Sequence, residues 1–91
     1  MDEKDLPKYR DEIAKIDDRI AYLLIKRFEL TDEIGRFKKR NNISVENKEV
    51  EEKILARLMD KTDDQPNKES IFKIYTEIFS QSKERQRKIL L

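Results

Sequence analysis

The chain has 91 residues, 45% of them charged and 36% hydrophobic, with 21 Lys+Arg against 20 Asp+Glu and no His or Cys. One domain, residues 1–91, fits that length. Without Cys there are no disulfides, thiolate nucleophiles or Cys-ligated metals, and without His the commonest general base and metal ligand are missing. Any chemistry then rests on Arg, Lys, Asp, Glu, Ser, Gln or Tyr. The net charge of +1 argues against a nucleic-acid or acidic-membrane binder. No apolar run approaches the ~18–20 residues that span a bilayer. The opening Met1-Asp2-Glu3-Lys4-Asp5 has no apolar signal core, so a cytoplasmic protein is expected. High charge favours disorder, but the signs are mixed, the apolar residues are periodic, and one Gly and two Pro leave long stretches without breakers.

The first predicted helix starts near Leu6-Pro7, with Asp5 as cap and Pro7 in the first turn. Its apolar seam reads Leu6, Tyr9, Ile13, Ile16, Ile20, Leu23, then Arg27, then Leu30, Ile34, Phe37, with spacings that alternate 3 and 4. It runs to about Arg40, where Asn41-Asn42 supplies a stop. At ~1.5 Å per residue this is a helix of ~50 Å. A compact monomer of this size has a radius of gyration of only ~12–13 Å. A second copy packed along the helix resolves the mismatch, so a homodimer is expected; a kink at Gly35 giving a monomeric bundle is the alternative.

Residues 41–48 read as a loop, with Ile43 and Val45 turned inward. A second helix is predicted from about Lys48 to Lys61, with the stripe Val50, Ile54, Leu55, Leu58, Met59. Asp64 or Gln65 precedes an N1 proline, Pro66, which opens a third helix running to Leu90. Its stripe is Ile71, Ile74, Tyr75, Ile78, Phe79, then Ser82, Gln86 and Ile89. The predicted class is all-α, three helices per chain, long–short–long.

The informative positions are polar residues in apolar seams. Arg27 needs either a carboxylate or an anionic ligand, because an unpartnered buried guanidinium costs several kcal/mol; an interhelical salt bridge or a snorkelling side chain are the plain structural readings. Lys38 lies three turns on, about 20° around the helix and about 16 Å along it, so the two cations share a face and could close on a small dicarboxylate. Arg10 is ~25 Å from Arg27 along the helix and could reach a site only across an antiparallel dimer. Ser82 and Gln86 are neutral hydrogen-bonders suited to orienting a ligand oxygen. The adjacent acids Glu51 and Glu52 carry little signal alone.

Taken together, Tyr9-Arg10-Asp11-Glu12-Ile13, Ile16-Asp17, Leu23-Leu24-Ile25-Lys26-Arg27 and Ile34-Gly35-Arg36-Phe37-Lys38 resemble the first helix of the all-helical chorismate mutases. The helix order and the Ser82/Gln86 pair extend the likeness over nearly the whole chain. The resemblance implies an intertwined homodimer with two active sites, each built from both chains. It implies that Arg27 and Arg10 of the partner subunit hold the two carboxylates of chorismate. Lys38 would contact a carboxylate and the ether oxygen, and Gln86 would donate to that oxygen. Ser82 would assist near a carboxylate, and Glu51 would accept from the ring hydroxyl. The reaction, chorismate to prephenate on the way to Phe and Tyr, is pericyclic and needs no nucleophile, general base, metal or cofactor.

Two positions depart from the family pattern, which reads Asp, two residues, Arg, Glu at the start of the second helix. Asn47 stands at the Asp position of the substrate site and Val50 at the Arg position; a register one residue along would make Glu52 the ligand instead of Glu51. An isochorismate-pyruvate lyase on the same scaffold, or a non-catalytic helical interaction module, are the competing functions.

Overall fold

The computed structural model describes residues 2–89. Among these residues there is no strand: a 3-10 turn at Glu3–Asp5 leads into α1 (Leu6–Arg40), α2 (Lys48–Met59) and α3 (Gln65–Ile89). The all-α, long–short–long reading is therefore right. The cap expected at Asp5 belongs to Asp2, whose side chain accepts from the Lys4 N–H while Asp5 accepts from the Asp2 N–H, a reciprocal box around the 3-10 turn. At its other end α1 stops where the sequence places the stop. Asn42 takes a left-handed φ of 55°, and the Ile43 N–H donates to the Lys38 carbonyl at 2.8 Å, closing the helix in a Schellman motif.

α2 ends at Met59, short of Lys61, because the Lys61 and Thr62 N–H groups turn to the carbonyls three residues back and tighten the last turn. Asp64 caps α3 by accepting from the Asn67 N–H at 3.0 Å, so Pro66 falls at the second helical position, one later than expected. Leu90, where the third helix was expected to end, lies outside the described residues.

The chain divides into two units, Met1–Leu30 and Thr31–Leu91. In the first, the helical stretch carries its heptad seam uncovered: Ile13 is 55% exposed, Ile16 53% and Leu23 59%. Local ties along it include Lys15 to Asp11 at 3.6 Å and Lys26 to Glu29 at 3.7 Å, with the Lys26 ammonium 5.7 Å from the Tyr22 ring centre. Such neighbours on a helix surface contribute only tenths of a kcal/mol each, roughly 0.2–0.5.

The second unit holds the last turns of α1, the loop 41–47, α2 and α3. α2 packs on α3, with Ile54, Leu55, Leu58, Met59, Ile71, Tyr75 and Ile78 half-buried between polar faces. Tyr75 and Phe79 meet edge to face, 5.8 Å between ring centres. The end of α1 runs beside the end of α3 in the same direction, shown by contacts that advance together from Asp32–Arg85 through Gly35–Gln86 to Lys39–Ile89. Among the described residues few are buried: Gly35, Val45, Phe79, Ser82 and Gln86. Val45 turns inward as expected, whereas Ile43 remains 47% exposed because the helix stop points it outward. Val50, placed in the apolar stripe of α2, is 48% exposed.

Candidate active site

Gln86 is the most buried polar side chain of the second unit, 5% exposed. Its amide nitrogen donates to the Thr31 carbonyl at 2.6 Å. It can lie this close to α1 because Gly35 has no side chain: a Cβ there would meet Gln86 Cγ at 2.8 Å and Cβ at 3.2 Å. The single glycine of the chain thus marks the place where the third helix presses Gln86 against the first. The Thr31 bond also fixes which end of the amide faces α1, since a carbonyl can only accept.

Lys38 stands one turn beyond Gly35, on the stripe that begins at Thr31. It is half-buried, and its ammonium donates to the Val45 carbonyl at 3.1 Å. The buried Val45 pins the loop under the lysine, so the loop is held by α1 on one side. On the other it passes into α2, where Asn47 caps the helix by accepting from the Val50 N–H at 3.2 Å. The Asn47 side chain therefore serves α2 directly, a role its residue type alone suits.

Ser82 is buried, 6% exposed, and its hydroxyl donates back to the Ile78 carbonyl at 3.0 Å. One turn on is Gln86, so the two lie on a common face of α3. Next to Ser82, Lys83 reaches across to the loop and to α2. Its ammonium is 3.1 Å from a Glu51 oxygen and 3.2 Å from a Glu46 oxygen. Partial burial works against this ammonium, but the hydrogen bonds to Glu51 and Glu46 prevail and raise its pKa above the usual lysine value. Glu52, the alternative ligand, is exposed. Arg87 approaches Glu46 more loosely, at 3.7 Å.

One further pair braces this region. Arg85 grips Asp32 with two nitrogens, at 2.6 and 3.1 Å, one residue from each end of the Gln86–Thr31 bond. The guanidinium hydrogen bond holds the Asp32 carboxyl below its ordinary pKa against a smaller opposing effect of burial. The same bond raises the pKa of Arg85.

The structure thus gathers Lys38, Asn47, Glu51, Ser82 and Gln86 in one unit. Arg10 and Arg27 lie in the other; Arg10 is exposed and Arg27 half-buried. Sequence reasoning missed Lys83, Glu46 and the Asp32–Arg85 pair. These contacts join residues far apart in the chain, 37 positions for Glu46–Lys83 and 53 for Asp32–Arg85. The only local signal was Lys83 beside Ser82 in a helix rich in similar charges. Among the described residues no cluster of His, Cys, Asp or Glu is placed to hold a metal ion, and no helix is long and apolar enough to cross a membrane.

Among the described residues the buried polar side chains are a hydroxyl and an amide, Ser82 and Gln86, while Lys38 and Lys83 are half-buried. The family model for chorismate mutase type II matches residues 9–87. The chain belongs to that family, and through it is an isomerase whose implied substrate is chorismate. No curated protein and no solved structure matches.

Proposed function

We propose that the chain rearranges chorismate to prephenate, in the cytoplasmic synthesis of Phe and Tyr, as a homodimer with each site completed by Arg10 of the partner subunit. The observation that carries this reading is the seating of Gln86 against Thr31 and Gly35, one turn from Lys38. An amide nitrogen has two protons. Thr31 takes one, and the second serves the ether oxygen of the substrate.

Chorismate must adopt a compact conformer in which its enolpyruvyl group lies over the ring. Arg27 and Arg10 of the partner subunit hold the two carboxylates and select that conformer, a gain in proximity and orientation. As the C–O bond lengthens, negative charge grows on the ether oxygen. Lys38 and Gln86 meet that charge with donors fixed beforehand, which is worth on the order of 3 kcal/mol for each donor. Ser82 assists near a carboxylate, and Glu51 accepts from the ring hydroxyl. Asn47 stays at the edge of the site while capping α2. No proton changes hands and no covalent intermediate forms, which suits a chain without His or Cys.

The dimer draws support from the uncovered seam of α1. Leu6, Tyr9, Ile13, Ile16, Ile20 and Leu23 form a contiguous apolar stripe. Stripes of this extent on soluble proteins mark association surfaces. The heptad spacing suits a second helix of the same kind.

The test is to follow the loss of chorismate absorbance with purified protein and to identify the product by chromatography. Prephenate, abolished by Lys38→Ala, is the expected result. Pyruvate from isochorismate without prephenate from chorismate would replace this reading with a lyase. Turnover of neither would leave a helical interaction module.

A further inference from the structure

We propose that Lys83 is a positioning residue of the substrate site, acting through Glu51: its ammonium holds the Glu51 carboxylate in the place from which it accepts the ring hydroxyl. This rests on the role given to Glu51 above. Lys83 ties three elements together, reaching from α3 to Glu51 on α2 at 3.1 Å and to Glu46 in the loop at 3.2 Å. The side chains are well shielded, 21% exposed for Lys83 and 23% for Glu51, against 76% and 71% for the surface pair Lys15–Asp11. Water therefore screens the Lys83 contacts less than the helix-surface pairs.

The geometry also sets the charge balance. Two carboxylates converge on one ammonium beside Ser82. Without it, Glu46 and Glu51 face each other as bare anions. Their repulsion turns Glu51 away, and their charge opposes an incoming dianion. Arg87, 3.7 Å from Glu46 and 60% exposed, is too loosely placed to take over. Because Glu51 meets a hydroxyl that persists from substrate to transition state, its contact stabilises both alike. Such uniform binding lowers KM and leaves kcat unaltered.

The experiment compares steady-state kinetics on chorismate and thermal melts for the parent, Lys83→Met, Lys83→Arg, Glu51→Gln and the double variant Lys83→Met/Glu51→Gln. Lys83→Met is expected to raise KM about tenfold with kcat within about threefold of the parent. Lys83→Arg restores most of the loss. The double variant has a KM no higher than Glu51→Gln alone, because the lysine acts through that residue. Should Lys83→Met not fold, Lys83→Gln keeps a donor without the charge and reads the same KM shift. A KM within about twofold of the parent, or an effect that adds to that of Glu51→Gln, overturns the proposal. So does a lower melting temperature with unchanged KM, the mark of a purely structural tie. A parent that makes no prephenate fails earlier, at the reading of the site itself, and takes this proposal with it.

Discussion

The Gln86 side chain lies directly over Gly35, so close that a Cβ on the glycine would stand 2.8 Å from Gln86 Cγ. The clash falls on the middle of the side chain, with Cβ and Cα at 3.2 and 3.5 Å behind it, and not on a flexible tip. Helix stability and site geometry therefore pull in opposite directions at this position.

Gly35→Ala puts that opposition to the test. A mid-helix alanine is better than glycine by about 1 kcal/mol, while overpacking a filled site costs about 1–3 kcal/mol. The melting temperature is expected to fall slightly, but kcat by tenfold or more, on the order of one displaced donor. Parallel melts and kinetics check it; a variant as active as the parent would show that Gln86 has room to move.

Gln86→Glu should make the mutase acid-dependent. A carboxylate in this buried place would set acceptor against the Thr31 carbonyl, and burial raises its pKa. Only its protonated form donates. A carboxyl has one proton where the amide has two, so activity near neutrality is expected to drop on the order of a hundredfold and to recover only in part as pH falls. A kcat/KM profile between about pH 5 and 8, normalised to the parent, reads this. A flat profile would remove Gln86 from the role of donor.

Asp32→Asn should flatten the acid limb of stability. The Arg85 hydrogen bond lowers the Asp32 pKa below its ordinary 3.8, so the folded state binds its proton less readily than the unfolded one. The resulting stabilisation is complete above the unfolded value and is lost as pH falls through the lower folded value. At pH 7 the variant should melt a few degrees lower; below about pH 4 the difference should shrink. Melts taken across that range would contradict the pairing if the two curves stay parallel.

Ile16→Glu addresses the uncovered seam. The parent should sediment at twice its chain mass of 11.0 kDa, and a tenfold dilution should lower its melting temperature by a few degrees. A charge at Ile16, 53% exposed in the lone chain, should give a single-chain mass with reduced helical signal. An unchanged mass would show that another face carries the association.

Much of this fold is legible in the sequence because its signals are local. The 3–4 spacing from Leu6 to Phe37, the Asn41-Asn42 stop and the paired neutral residues Ser82 and Gln86 all act within a few turns of helix. What stays hidden is what depends on distance. Nothing near Gly35 announces that Gln86 will lie on it, and nothing near Glu46 announces Lys83. Boundaries set by hydrogen bonds to backbone, such as the early end of α2 and the Asp2 box, are equally invisible to periodicity. Asn47 illustrates the middle case. As a residue type it reads as a cap, and in the family pattern as a site residue; the capping bond is what the structure displays.

The short roster of buried side chains bears on how this chain could be altered in the laboratory. Gly35, Ser82 and Gln86 stand among the few buried residues described, alongside Val45 and Phe79. A selection for heat resistance rewards apolar replacements at buried polar positions, and Ser82 and Gln86 are the first such positions it would reach. The hardiest descendants of such a screen would be the ones that had traded away the donors proposed to meet chorismate. Thermostable libraries of this chain therefore need an activity screen in every round, with the exposed charges other than Arg10 as the safer ground for diversification.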